Sequence, residues 1–231
     1  MIEKIAVVAD IHANKYALEK FLHYIDNENI KCVLNLGDFV QIGPNPYEVS
    51  STVLNDKRFI NILGNNETSL FEIDETQKNE EILHRIWTKR QMHENYEKIK
   101  SIPRIYILNK GNLNILMIHS RKEDINDMPL IYTNNIDEFA NDYEEFNSDI
   151  VLFGHTHEKL YIEYEKKIFI NPGSLGFSKN GTADFAIISI DENKIIECDF
   201  LSLKYDKNSL LKDYDKNNVP DKEYILKNFL N

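Results

Sequence analysis

The sequence predicts an α/β fold of two packed sheets flanked by helices, and three observations carry that prediction. The first stretch reads strand, helix, strand. Residues 4–9 and 32–36 are apolar, and between them Leu18, Phe21, Leu22 and Ile25 recur at helical spacing. This is a β-α-β unit, whose strands pair in parallel. Further short apolar runs at 59–63, 115–118 and 150–153 each stop at a glycine or a polar residue. After His157 the pattern changes to hairpins at 160–164, 168–171, 184–190 and 194–200, which read as a second sheet packed on the first.

The elements are taken up in chain order. Asn14 is placed to cap a helix over 15–28. Residues 41–46 hold a glycine and two prolines and read as a loop, followed by a helix over 47–54. Residues 66–101 are charged and mostly helical, with Ile82, Ile86, Trp87, Met92 and Ile99 as the apolar positions and Pro103 as the stop. Strands at 104–108 and 113–118 flank a hairpin turn at 109–112. Residues 120–148 lack clear periodicity and read as a loop with a helix over 137–146. From 207 onward two short amphipathic helices are separated by Pro220. No internal repeat and no low-complexity linker interrupts the chain.

Composition bounds the class. In 231 residues, 42% hydrophobic, one sizeable core can form. A net charge of −11 and a pI near 5.1 argue against a long nucleic-acid groove and against an anionic membrane surface. Cys32 and Cys198 give no disulfide framework and read as reduced, buried thiols. The first strand begins almost at once, with no signal peptide before it, and no apolar run approaches the length of a membrane helix. A cytoplasmic location is the default expectation.

The residues at the strand ends are more specific. The run at 5–9 is followed by Asp10-Ile11-His12, and that at 32–36 by Gly37-Asp38. The run at 59–63 leads into Gly64-Asn65-Asn66-Glu67, and that at 115–118 into His119-Ser120. The run at 150–153 ends in Gly154-His155-Thr156-His157. Four of the seven histidines therefore sit at strand ends. Sites in open α/β sheets form beyond the carboxyl ends of strands, and two histidines one residue apart, leaving a strand in different directions, suit two neighbouring cations. Singly, each has an ordinary structural reading: Asp10 as a strand-end cap, Asp38 or Asn65 as turn residues, His119 as a packed histidine. His23, His84 and His93 lie on predicted helices, where surface or packing roles are expected, and the acidic stretch 137–145 reads as a solvated helix face.

The ordered series D-x-H, G-D, G-N-x-E, H and G-H-x-H resembles the calcineurin-like metallophosphoesterases. Ile11-His12-Ala13-Asn14 with Ala17-Leu18, Gly43-Pro44-Asn45-Pro46, Trp87-Thr88, Asn171-Pro172-Gly173-Ser174 and the tail from Tyr205 look like a small, single-domain bacterial branch. The resemblance implies a four-layer α-β-β-α sandwich in one domain over 1–231, with 120–148 as a substrate-covering insert and 205–231 as a helical tail. By position, it implies that Asp10, His12 and His157 hold one metal, that Asn65, His119 and His155 hold a second, and that Asp38 bridges them. A hydroxide between the metals would then attack phosphorus. Mixed imidazole and carboxylate donors suit manganese, favoured here, or iron, nickel or zinc, rather than calcium. Two divalent cations also reverse the local acidity, so a small phosphorylated substrate is compatible with the net charge.

One position departs from the pattern. The family often has histidine after the asparagine ligand, where this chain has Asn66. An amide donates a hydrogen bond but has no useful proton to give, and general acid help is worth ~10²–10⁴-fold. A phosphodiester or an activated monoester is therefore the expected substrate. Asn14, Ser120, Arg121 and Ser174 are further candidates near the ligands, Arg121 as a bidentate partner for phosphate oxygens. Two other readings compete: a binding or scaffold protein that kept the fold and lost turnover, and a hydrolase of dinucleoside polyphosphates.

Overall fold

A computed structural model describes residues 2–122, 124–127 and 136–230. It contains β1 (Glu3–Val8), α1 (Lys15–Asn27), β2 (Val33–Asn35), α2 (Pro46–Asn55) and β3 (Phe59–Asn61). These are followed by α3 (Asn65–Phe71), α4 (Glu80–Gln91), α5 (Asn95–Ile99), β4 (Ile105–Lys110) and β5 (Leu113–Ile118). Helix α6 (Ile136–Asn141) and a 3₁₀ turn (Glu144–Phe146) precede β6 (Ile150–Leu152), β7 (Lys159–Tyr164), β8 (Lys167–Pro172), β9 (Thr182–Ile190) and β10 (Ile195–Lys204). The chain closes with α7 (Lys207–Lys216), α8 (Lys222–Ile225) and a π turn (Leu226–Leu230). No helix of the described residues is long and apolar enough to cross a membrane.

The strands form two five-stranded mixed sheets, ordered β10-β9-β1-β2-β3 and β4-β5-β6-β8-β7. In the first, β1, β2 and β3 are parallel and β9 runs antiparallel to β1. In the second, β5, β6 and β8 are parallel and the edges β4 and β7 antiparallel. Strand periodicity of two produces the layers. Ile5, Val7 and Ala9 face Ile115, Met117, Ile150 and Leu152 between the sheets. Ala6 and Val8 face the other way, towards Phe21, Ile25 and Leu210 of the helices. Leu116, Ile118, Val151 and Phe153 pack outward on Phe139 and Tyr143. The result is the α-β-β-α sandwich.

The four C-terminal strands do not form a sheet of their own. β7 and β8 complete the second sheet, whereas β9 and β10 extend the first. Burial explains the split. Residues Phe185 to Ile190 of β9 are apolar or buried on both faces, as a central strand must be, so β9 inserts between β1 and β10. The hairpin at 109–112 tightens to Gly111 and Asn112, because β4 runs to Lys110. The helix expected over 137–146 breaks into α6 and the 3₁₀ turn, ending at Asn147 in the left-handed region (φ 45°). The helical stretch 66–101 is three helices. Cys32 and Cys198 are free thiols, each half-buried.

His84 on α4 is a packing residue. Its Nε2 accepts the backbone N–H of Ile42 (3.0 Å), and its Nδ1 pairs with the Pro220 carbonyl (3.1 Å). Burial lowers its pKa below 6.5, against the Pro220 carbonyl and Asp221, which raise it, while Arg85 lowers it further. The folded state thus takes a proton less readily than the unfolded chain, so this contribution to stability is present above pH 6.5 and falls as pH drops below it. Urea midpoints at pH 7.5 and 5.5 should therefore differ less for His84→Gln than for the natural chain. An equal difference in both would exclude His84 as the source.

Candidate metal centre

The carboxyl ends of the central strands meet along the seam between the two sheets. Backbone bonds hold the loops there: Asp10 N–H to the Gly37 carbonyl (3.0 Å), His12 N–H to Asp38 (2.9 Å), and Gly154 N–H to His119 (2.9 Å). The His155 N–H crosses between sheets to Asp10 Oδ2 (3.0 Å). Gly154 allows this closeness, since a Cβ there would lie 2.8 Å from Ala9 Cβ and 2.9 Å from Asp10 Oδ2. Asp10 (φ 55°), His12 (46°), Asp38 (56°), His155 (68°) and His157 (61°) all occupy the left-handed region. Each such non-glycine residue costs on the order of 1 kcal/mol, and strain of this kind gathers at functional sites.

These turns bring the side chains into two groups, Asp10 with His12 and His157, and Asp38 with His119 and His155; within each, one donor atom per residue lies within 4.8 Å of the others. In the first, His12 Nε2 and His157 Nε2 face each other at 3.0 Å, and Asp10 Oδ1 is 3.6 and 3.4 Å from them. Asp10 Oδ1 and His12 Nδ1 are buried without a hydrogen-bond partner. In the second, Asn65 Oδ1 stands 3.0 Å from both His119 Nε2 and His155 Nδ1, and Asp38 Oδ2 is 3.4 Å from His119 Nε2. His119 Nδ1 is tied to the Leu36 carbonyl at 2.7 Å, which orients the ring and turns Nε2 inward. Lone pairs crowded together in this way, that of Asp10 Oδ1 orphaned, fit a cation in each group.

The charges agree. Burial would lower the His119 pKa, but Asp38, with Asp10 and the Leu36 carbonyl, together outweigh it and push the imidazole up to about 10. Burial would raise Asp38, yet His119, His12 and the Asn66 N–H hold it well below the usual carboxylate range. Burial and His157 bring His12 down to about 4. His155 is lowered by burial and by His119. Asp10 stays lowered against its burial, chiefly by His157, and in return raises His157. The cleft above, about 350 Å³, is lined by His12, Asp38, Asn65, His155 and His157, with Asn66 and Phe229 at its side.

The domain model for this arrangement of strand ends is the calcineurin-like phosphoesterase superfamily domain, which matches residues 4–193. The chain belongs to the calcineurin-like phosphoesterase superfamily. An uncharacterised protein of Methanocaldococcus jannaschii is 27% identical over 236 residues, covering 94% of each chain. A phosphodiesterase of the same organism is 21% identical over 194 residues, covering 84% of this chain and 97% of that one. A crystal structure of a metallophosphoesterase from Sphaerobacter thermophilus shares the fold at TM-score 0.76 and 23% identity, over 96% of this chain and 97% of that one.

This calcineurin-like centre includes residues whose roles the sequence leaves open. Glu67 is fully buried, and its carboxylate accepts the N–H groups of Asp38 (2.8 Å), Phe39 (2.7 Å), Val40 (3.1 Å) and Gly64 (2.8 Å). The Asn66 side chain donates to Asp38 Oδ2 (2.5 Å) and its backbone N–H to Oδ1 (2.8 Å). Ser174 Oγ donates to the Asp10 carbonyl (2.9 Å), and Asn171 to the Gly154 carbonyl (2.8 Å), so the 171–174 turn braces the ligand loops. From the C-terminal turn, Phe229 packs on Phe177, which packs on His12.

Other candidates stand elsewhere. Asn14 is fully buried, its carbonyl capping α1 at Ala17 and its NH₂ bonded to Gly176, so neither group points into the cleft. Arg121 pairs with Asp142 (2.7 Å), Asp127 (3.2 Å) and Glu138 (3.5 Å), outside the residues lining the ligand cleft. The acidic stretch that reads as a solvated face thus supplies two of its partners. Ser120 is buried and bonded to the Ile125 carbonyl. Of the segment 120–148, residues 123 and 128–135 lie outside the described residues.

Proposed function

We propose that this protein is a metal-dependent phosphoesterase acting on a phosphodiester or an activated phosphomonoester. The observation that carries the reading is the pair of ligand groups opening on one cleft, with the buried Asp10 Oδ1 left without a hydrogen-bond partner. Asp10, His12 and His157 would hold one divalent cation, Asn65, His119 and His155 the other, and Asp38 both. Manganese is favoured, with iron, nickel or zinc compatible. Such a pair supplies charge neutralisation at phosphorus and a water of lowered pKa.

The chain's own contribution is positioning. Glu67 fixes the Asp38 loop and the start of α3 through four N–H groups. Asn66 keeps a hydrogen-bond donor beside the cleft but offers no acid to the departing oxygen. This favours substrates whose leaving oxygen needs no proton, and a relative bearing the name phosphodiesterase is consistent with it. A single domain, a cytoplasmic location and a small phosphorylated substrate belong to the same reading.

The test restores manganese, nickel, zinc or iron to metal-stripped protein and compares bis-p-nitrophenyl phosphate with p-nitrophenyl phosphate. Metal-dependent turnover with the diester preferred is expected; two bound equivalents without turnover on either ester would point to a binding role. Asn66→His should raise kcat/KM on alkyl monoesters by about 10-fold or more, the low end of general acid catalysis, and much less on aryl diesters. Equal change on both would remove Asn66 from the leaving-group side.

A further inference from the structure

A second cleft of about 410 Å³ opens beside the ligand cleft and shares Ile42, Asn66 and Phe229 with it. That size suits a small organic group. The common wall is unusual. Ile42 has φ 77°, a rare conformation for a β-branched residue. It is clamped from two sides: His84 accepts its N–H (3.0 Å) and the Tyr214 hydroxyl donates to its carbonyl (3.3 Å). A strained apolar residue is thus held at the junction of the two clefts, where strain marks function.

The rest of the cleft has a definite chemistry. Tyr224, 59% exposed, and Phe229 give it aromatic faces. Gln41 spends its NH₂ on the Asn66 carbonyl (2.5 Å) and on Ser69 (2.6 Å). At the rim, Arg85 is paired with Glu81 on its own helix, and Asp221 adds another carboxylate. The balance of these three charges is one negative, which repels a second phosphate. Aromatic faces beside carboxylate acceptors suit a flat, uncharged ring bearing an amino group.

Resting on the phosphoesterase reading above, we infer that this cleft binds the nucleoside of a nucleotide phosphodiester, with amino-bearing bases preferred and polyphosphate chains disfavoured. The phosphorus would then lie in the ligand cleft and the base against Tyr224 and Phe229, with Ile42 and Asn66 between them.

Two experiments on the full chain separate this inference from the reading it rests on. The first uses metal-stripped protein and saturation-transfer NMR with adenosine and uridine. Transfer to the adenosine base protons is expected, stronger than to uridine and weakened in Tyr224→Ala, whose exposed ring can be removed without opening the core. No transfer, or transfer unaltered by both Tyr224→Ala and Phe229→Ala, would overturn the inference. The second compares kcat/KM for adenosine 5′-(p-nitrophenyl phosphate) and methyl p-nitrophenyl phosphate with metal restored. The ratio should favour the adenosine ester and fall about fivefold to a hundredfold in Tyr224→Ala, the range for losing one aromatic–base stack. A ratio near one that the variant does not move would sink the nucleoside cleft while leaving the phosphoesterase reading intact. Adenosine binding in a protein that hydrolyses neither ester would do the reverse.

Discussion

Asp38→Asn is expected to lose both metal equivalents together and nearly all turnover. Asp38 lies 3.4 Å from His119 Nε2, and its charge also acts on His12 in the other ligand group. A metal ion contributes several kcal/mol to the transition state, so the loss should be about 10³-fold or more in kcat/KM. Elemental analysis of dialysed protein checks the stoichiometry, and retention of one full equivalent would show that Asp38 serves a single site. The metal-free protein offers a second readout. With the carboxylate gone, His119 should titrate below about 10, because only Asp10 and the Leu36 carbonyl then oppose burial. In the natural chain His119 must release a proton to bind a cation through Nε2, so affinity at that group should strengthen as pH rises.

Glu67→Ala should be the most destabilising single change at the centre. It would leave four buried N–H groups, those of Asp38, Phe39, Val40 and Gly64, without an acceptor. Each orphaned donor costs about 1–3 kcal/mol, so a loss of roughly 4 kcal/mol or more is expected, measured by urea unfolding. Glu67→Gln keeps one accepting oxygen. Since Oε1 serves Phe39 and Val40 and Oε2 serves Asp38 and Gly64, it should retain two of the four bonds and about half the stability difference. Equal effects of Ala and Gln would mean that the carboxylate's charge matters more than its acceptors. Burial and the Asp38 charge push Glu67 up to about 7. It carries a proton more readily folded than unfolded, where 4.5 is ordinary, and this opposes folding as pH rises from 4.5 towards 7.

Much of this arrangement is legible in the chain because the strands are short and their ends are punctuated. Asp10, Asp38, Asn65, His119, His155 and His157 each come after an apolar run, and parallel strands send their carboxyl ends to one edge. Asn14 caps α1 as its position before Lys15 suggests. Long-range contacts are harder to read. That β9 rather than a sheet-two strand pairs with β1 depends on burial on both faces, which resembles any other apolar hairpin locally. Arg121 is close to a ligand in sequence, but its guanidinium is taken by carboxylates 6, 17 and 21 residues further on. Phe229 is far from the ligands in sequence, yet the C-terminal turn brings it to the side of their cleft and onto Phe177. Glu67 could have been noticed as an acid directly after two asparagines in a glycine turn. Its bond to the Gly64 N–H follows the capping-box spacing at the start of α3, but the partners at Asp38, Phe39 and Val40 come from a separate loop that no local pattern announces.

The bond from the His155 N–H to Asp10 and that from His119 to Leu36 each join one sheet to the other. Both proposed cations would take donors from both layers: Asp10 and His12 with His157, and Asp38 and Asn65 with His119 and His155. Occupancy would then act as a rivet through the sandwich. Anything that binds only the folded state raises its stability logarithmically with free concentration, about 2.7 kcal/mol at a hundred times Kd. The thermal midpoint of this protein would therefore serve as a gauge of the metal around it. In a chelating buffer, slow amide exchange in β1 and β6 should quicken, as the two layers would keep their apolar core and hydrogen bonds but lose the proposed metal ties.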